Sequence, residues 1–125
     1  MNKHKFFSIT FLLIFFSFAF LKNRLHAYNK SAEKKDFRYT IFYSRKFRKL
    51  HLTIFNGKKR KTIIQCIFIN NRIRENKTLK ALPYHIKYFQ FNMIKKGIVT
   101  ILLRYKYQFE KTNFKTIDKI VFRTR

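Results

Sequence analysis

The sequence predicts a mainly β protein, a small antiparallel meander or sandwich of about six strands following an N-terminal hydrophobic helix that serves as a signal peptide or anchor. Three observations carry this. Sixteen uncharged, mostly apolar positions run from Phe6 to Leu21 behind Lys3 and Lys5. Past residue 36 the pattern changes to short runs rich in β-branched and aromatic residues, separated by polar clusters. Removing residues 1–27 of 125 leaves 98, enough for one domain with one modest core. The expected organisation is 1–27 as signal peptide or signal anchor, 28–36 as a basic polar linker and 37–125 as a small basic β-rich domain.

The first element holds twelve Phe, Ile or Leu residues plus Ala19, interrupted only by Ser8, Thr10 and Ser17. Apolar residues at the centre of such a run each favour bilayer insertion by roughly 0.3–0.6 kcal/mol, so the segment engages a membrane at least transiently. As a helix it rises only about 24 Å, short of a hydrocarbon core about 30 Å thick, which suits a cleavable signal. Cleavage after Ala19, with Ser17 at −3, or after Ala27, with Leu25 at −3, fits the small-residue rule imperfectly. Lys22 and Arg24 offer the alternative of a short anchored span, with their stems reaching the far interface.

Six runs then read as strands: Phe37 to Tyr43, Leu50 to Phe55, Thr62 to Ile69, Ile86 to Ile94, Ile98 to Phe109 and Thr116 to Arg123. Lys95, Lys96 and Gly97 look like a three-residue hairpin loop with glycine at the left-handed position. That register sets Met93, Phe91 and Phe89 against Val99, Ile101 and Leu103, with Asn92 facing Thr100 and Gln90 facing Leu102. A second hairpin through Gly57 to Arg60 would pair Ile54 with Ile63, Leu50 with Ile67 and Phe55 with Thr62. Between the two, Asn71 to Leu82 is polar, either a loop or a short helix stopped before Pro83.

Charge is the strongest compositional signal. The chain carries 30 Lys and Arg against five acids, Glu33, Asp36, Glu75, Glu110 and Asp118, a net of +25. Most cations therefore have no carboxylate partner, and such a field attracts phosphate, sulfate or acidic headgroups. The partners expected are an anionic lipid, a polysaccharide or a nucleic acid. The same composition, rich in Lys, Asn, Ile and Phe, is also what an A- and T-biased genome yields without selection for a ligand.

Lys22, Arg24, Lys30, Lys34 and Lys35 meet only Glu33 before Asp36, an unusually dense positive flank for simple bacterial export. A signal followed by a basic, acid-poor leader resembles the two-part address of proteins sent through the secretory route into a complex plastid. The resemblance covers residues 1 to about 40 and is compositional. It implies a plastid destination as the alternative to a secreted or single-pass, membrane-anchored protein of the secretory pathway.

Few residues carry chemistry. Cys66 is the only cysteine, so no intrachain disulfide forms. The expected hairpin places it opposite His51, which at most gives half a zinc site, and a buried inert thiol is the simpler reading. Acid spacing, two isolated glycines and the serine contexts supply no catalytic motif, so no catalytic residue, metal or cofactor is expected. Of the sequons Asn29-Lys30-Ser31 and Asn76-Lys77-Thr78, Asn76 sits in the more loop-like segment.

Rings and cations interleave over Phe37–Lys49, Tyr84–Tyr88 and Arg104–Tyr107. Two functional expectations follow. In the first, a non-enzymatic secretory-pathway protein meets an anionic surface with Lys58, Lys59, Arg60 and Lys61 at one tip and Lys95 and Lys96 at another. In the second, an organelle-imported, ribosome-associated type of protein stacks nucleic-acid bases on Tyr39, Tyr43 and Phe47. A third reading is an open reading frame whose product lacks a stable fold and a defined function.

Overall fold

A computed structural model describes residues 28–124. The apolar run Phe6–Leu21, the expected N-terminal helix and the domain boundary at residue 27 lie outside them. The described residues contain no helix long and apolar enough to cross a membrane. They form eight strands: β1 (Tyr28–Lys34), β2 (Phe37–Ser44), β3 (Lys49–Asn56), β4 (Thr62–Asn70), β5 (Ile73–Ala81), β6 (Ile86–Phe91), β7 (Gly97–Tyr107) and β8 (Lys115–Thr124). Two antiparallel four-stranded sheets result, ordered β1-β2-β3-β6 and β5-β4-β7-β8.

Alternation decides which side chains meet. Phe37, Tyr39, Ile41 and Tyr43 of β2, Leu50, Leu52 and Ile54 of β3, and Phe89 and Phe91 of β6 point one way from the first sheet. Ile64, Cys66 and Phe68 of β4 and Val99, Ile101, Leu103 and Tyr105 of β7 answer from the second, and all belong to one buried core. Ring pairs bridge the sheets: Phe37 against Tyr105 at 5.0 Å between centroids, Phe68 stacked on Phe91 at 4.7 Å, and Tyr28 stacked on Phe122 at 4.1 Å.

The six expected strands are present, with two more that the sequence pattern hid. Residues 28–34, expected as linker, are the edge strand β1, paired with β2 from Tyr28↔Tyr43 to Lys34↔Phe37. Its inward positions hold only Tyr28 and Ala32 as apolar residues, while Ser31 and Glu33 reach Thr40 and Arg38 on the outer face. Lys35 and Asp36 turn the chain with φ of 51° and 70°, the left-handed pair that a two-residue hairpin demands. Residues 71–82, expected as loop or helix, contain β5, which lies on the open edge of β4. An edge strand buries little, so its alternation is weak; Lys77 reaches across to donate to the Gln90 carbonyl at 2.6 Å.

Both expected hairpins are overturned. β3 pairs with β2 and β6, and β4 pairs with β5 and β7, so the 57–61 segment crosses from one sheet to the other. Residues 92–96 make the second crossing, with β6 and β7 in different sheets. Neither Met93↔Val99 nor Ile54↔Ile63 is formed; Met93 is 80% exposed at a φ of 57°. Alternation cannot separate strands side by side from strands face to face, because either arrangement sends Phe89, Phe91, Val99, Ile101 and Leu103 into one core. Buried asparagines fix the choice. Asn56 donates to the carbonyls of Arg60, Ala81 and Leu82, and its side-chain oxygen accepts from the Lys58 amide. Asn70 does the same for the second crossing, accepting from the Lys95 amide at 2.9 Å and donating to the Lys95 and Ile98 carbonyls. Gly57 passes so close to the β1–β2 turn that a Cβ would lie 2.0 Å from the Asp36 carbonyl oxygen.

A register shift in the β7–β8 ladder completes the core. Leu103 faces Asp118 while Arg104 faces Thr116, so Ile117 is the extra residue of a bulge. The bulge buries Ile117 and Ile120 together and aims Asp118 at the Tyr39 hydroxyl, which donates to its carboxylate. Burial first, and then this carboxylate, push the Tyr39 hydroxyl well above the ordinary tyrosine range.

Candidate anion-binding pole

The topology gathers the turns 45–48 and 71–72, the crossing 92–96 and the end of β8 at one end of the molecule. Arg45, Lys46, Arg48, Lys49, Arg72, Lys95, Lys96 and Arg123 are all exposed there, and these turns contain no acid. Both ion pairs among the described residues, Arg38–Glu33 and Lys58–Asp36, lie toward the opposite end.

Backbone ties make the pole a fixed surface. The Ile94 amide donates to the Arg48 carbonyl at 3.0 Å, joining the 45–48 turn to the 92–96 crossing. The Lys95 carbonyl accepts from Thr124 Oγ1 at 2.8 Å, and Asn71 Nδ2 donates to the Lys96 carbonyl at 3.2 Å. Gly97 allows this convergence: its φ is 132°, and a Cβ would meet Asn71 Oδ1 at 2.5 Å. Arg48 takes a φ of 51°, and the Phe47 amide donates to Ser44 Oγ. Holding these cations apart along the backbone, rather than on flexible tails, reduces what must be ordered when a ligand binds.

Two shallow depressions share Arg48. One, of about 160 Å³, is lined by Tyr43, Arg45, Arg48, Ile94 and Lys96. The other, of about 270 Å³, is lined by Phe47, Arg48, Lys49, Asn92, Met93 and Lys95. The first offers three cations around a space on the scale of a small oxyanion. The second places an apolar ring and a thioether among cations.

The expected residues are scattered by the fold. Lys95 and Lys96 are exposed at this pole, whereas Lys58 to Lys61 lie in the first crossing at the opposite end. Lys58 is held by Asp36 at 3.1 Å and lies over the Phe37 and Tyr105 rings, and Arg60 lies 4.2 Å from the Tyr107 centroid. That end also carries Glu110, which accepts from the Tyr107 amide and from Thr112. Of the three proposed stacking rings, Tyr39 and Tyr43 face the core; only Phe47, 59% exposed, stands in solvent. Asn76 is exposed on strand β5 rather than in a loop. Arg45 and Arg48, which carry no anion-binding assignment in the sequence reading, join Lys95 and Lys96 along these depressions. In sequence the two arginines are marked only by the cation-rich run 45–49, in which Phe47 interleaves with Arg and Lys.

Cys66 does not face His51. Its ladder neighbours are Lys77 and Leu103, and burial pushes its thiol up to about 12, so the side chain is an unreactive core residue. His51 lies on the outer face of the first sheet, near Phe42 and in a hydrogen bond with Tyr88; burial and then Lys49 lower its pKa. Among the described residues no three His, Cys, Asp or Glu side chains cluster to hold a metal. No protein family, curated protein or solved structure matches the chain.

Proposed function

We propose that this chain is a non-enzymatic, β-rich protein of the secretory pathway that engages an anionic surface through its cationic pole. The observation that carries the reading is the convergence of eight exposed cations at one end, six on connections without an acid and two on the adjoining ends of β3 and β8, cross-tied by hydrogen bonds to backbone carbonyls. Each basic side chain near an acidic membrane contributes about 1 kcal/mol, so a cluster of this size acts as a unit where isolated surface lysines do not. The apolar run Phe6–Leu21 supports delivery to a membrane. A stacking mode for single-stranded nucleic acid uses successive rings, and two of the three rings assigned to it, Tyr39 and Tyr43, are in the core.

The test offers the full chain, from detergent, equal amounts of phosphatidylcholine vesicles with and without phosphatidylserine. Insertion of the apolar run contributes alike to both, so their ratio reports the cationic surface. The ratio should favour phosphatidylserine and fall steeply as ionic strength rises. A ratio near one, or one flat with salt, refutes the reading.

A further inference from the structure

β1 enters the first sheet at Tyr28, whose ladder partner is Tyr43, one residue before Ser44 and the 45–48 turn. The domain therefore begins at the cationic pole, not at the opposite end. Only six residues, Lys22 to Ala27, separate Leu21 from Tyr28, and fully extended they span about 20 Å. If Phe6–Leu21 occupies a bilayer, the pole cannot lie far from that bilayer's surface.

The pole also presents apolar atoms in the right place. Phe47 is 59% exposed and Met93 80% exposed, and both line the depression that carries Arg48, Lys49 and Lys95. A soluble surface ringed by cations gains nothing in water from these two side chains. At a lipid interface the cations meet phosphates while the ring and thioether enter the headgroup and acyl boundary, the arrangement of interfacial anchors. Met93 has no face on which a base could stack, which favours lipid over nucleic acid.

We infer that the pole docks end-on onto the anionic phospholipid headgroups of the same bilayer that receives Phe6–Leu21, with Phe47 and Met93 in the interfacial layer and Arg45, Arg48 and Lys96 on phosphates. This rests on the anionic-surface reading and adds to it the lipid, the orientation and the bilayer concerned. The structure also supplies a clean probe site: Cys66 is fully buried, so a cysteine introduced at exposed Asn92 or Phe109 is labelled selectively.

Full chain carrying Asn92→Cys with an environment-sensitive dye is reconstituted in nanodiscs of phosphatidylcholine alone or with phosphatidylserine. A second preparation carries the dye at Phe109→Cys, in the β7–β8 loop at the opposite end. The expected result is a blue shift and shielding from acrylamide at 92, only in phosphatidylserine discs and reversed by salt, while 109 stays aqueous. Phe47→Ala with Met93→Ala should lower the docked-to-free ratio about tenfold with the melting curve unchanged, since partial burial of two apolar side chains is removed. A dye at 92 that stays aqueous in phosphatidylserine discs overturns the inference; if the vesicle ratio above still depends on salt, the anionic-surface reading survives it. Equal shielding at 92 and 109, or shielding at 92 in neutral discs, also overturns it. Shielding produced by single-stranded RNA but not by phosphatidylserine reassigns the pole to nucleic acid.

Discussion

Phe91 and Met93 lie two residues apart and, in a continuous strand ending at Ile94, would share a face. In the structure they part company. Phe91 is fully buried, stacked on Phe68 across the sheets, whereas Met93 projects from the crossing after β6 has ended. Truncating a buried Phe costs about 3–5 kcal/mol, and loss of the stacked partner places Phe91→Ala toward the upper part of that range. Domains of this size are stable by about 5–15 kcal/mol, and each kcal/mol moves Tm by about 4–8 °C. Phe91→Ala should therefore lower Tm by about 15–40 °C or prevent folding. Met93→Ala should stay within about 0.5 kcal/mol of the parent. Thermal unfolding of the full chain in detergent, followed by circular dichroism, measures both. Comparable losses of about 2–5 kcal/mol for the two variants would mean that Met93 is a core residue paired with Val99, and the division of β6 and β7 between sheets would be wrong.

Two further outcomes test the interior. The Cys66 thiol, at about 12 in the folded chain against an ordinary 9.0, stays protonated when the unfolded thiol ionises. The Cys66 contribution to stability should thus be fully present below about pH 9 and be lost as pH rises toward about 12, with Tyr39 acting in the same direction. Denaturant midpoints across that range measure it, together with maleimide labelling of Cys66 that waits for unfolding; a midpoint rising with pH, or labelling at the unfolded rate, would contradict the buried placement. Gly57→Ala should destabilise by about 1–3 kcal/mol, because the new methyl meets the Asp36 carbonyl and forces the β1–β2 turn to move. An unchanged urea midpoint would mean that the first crossing does not pass that turn.

Strand identity was legible wherever a strand is buried. β2, β3, β4, β6, β7 and β8 all show runs dense in Ile, Phe, Leu and Tyr, and their ends fall within a few residues of those read from sequence. β1 and β5 were hidden because edge strands expose most positions: β5 carries Arg74, Asn76, Lys77, Thr78 and Lys80 and keeps only Ala81 fully in the core. Pairing was not legible, since the alternation that fixes which face is apolar is silent on which strand lies beside it. Asn56 and Asn70, whose side chains hold the two crossings, look in sequence like ordinary turn residues. Of the candidate pole, the cations were legible in sequence and their grouping was not. Lys95 and Lys96 read from sequence as a cationic hairpin tip and lie instead, exposed, in the crossing between the sheets; their grouping with Arg45 and Arg48 depends on β6 lying beside β3, a contact no local pattern announces. Tyr39 and Tyr43 were read as binding rings because alternation leaves open which face of β2 meets the core.

The placement of charge is tested most directly by removing equal charge from the two ends. Arg45, Arg48 and Lys96 are replaced by Gln at the pole, and Lys59, Lys61 and Lys111 by Gln at the opposite end, so net charge falls by three in each variant. At about 1 kcal/mol per cation, the first set should lower the preference for phosphatidylserine over phosphatidylcholine vesicles by about a hundredfold, and the second should change it little. Equal losses from the two ends would show that net charge alone governs the interaction and would contradict a defined anion-binding pole.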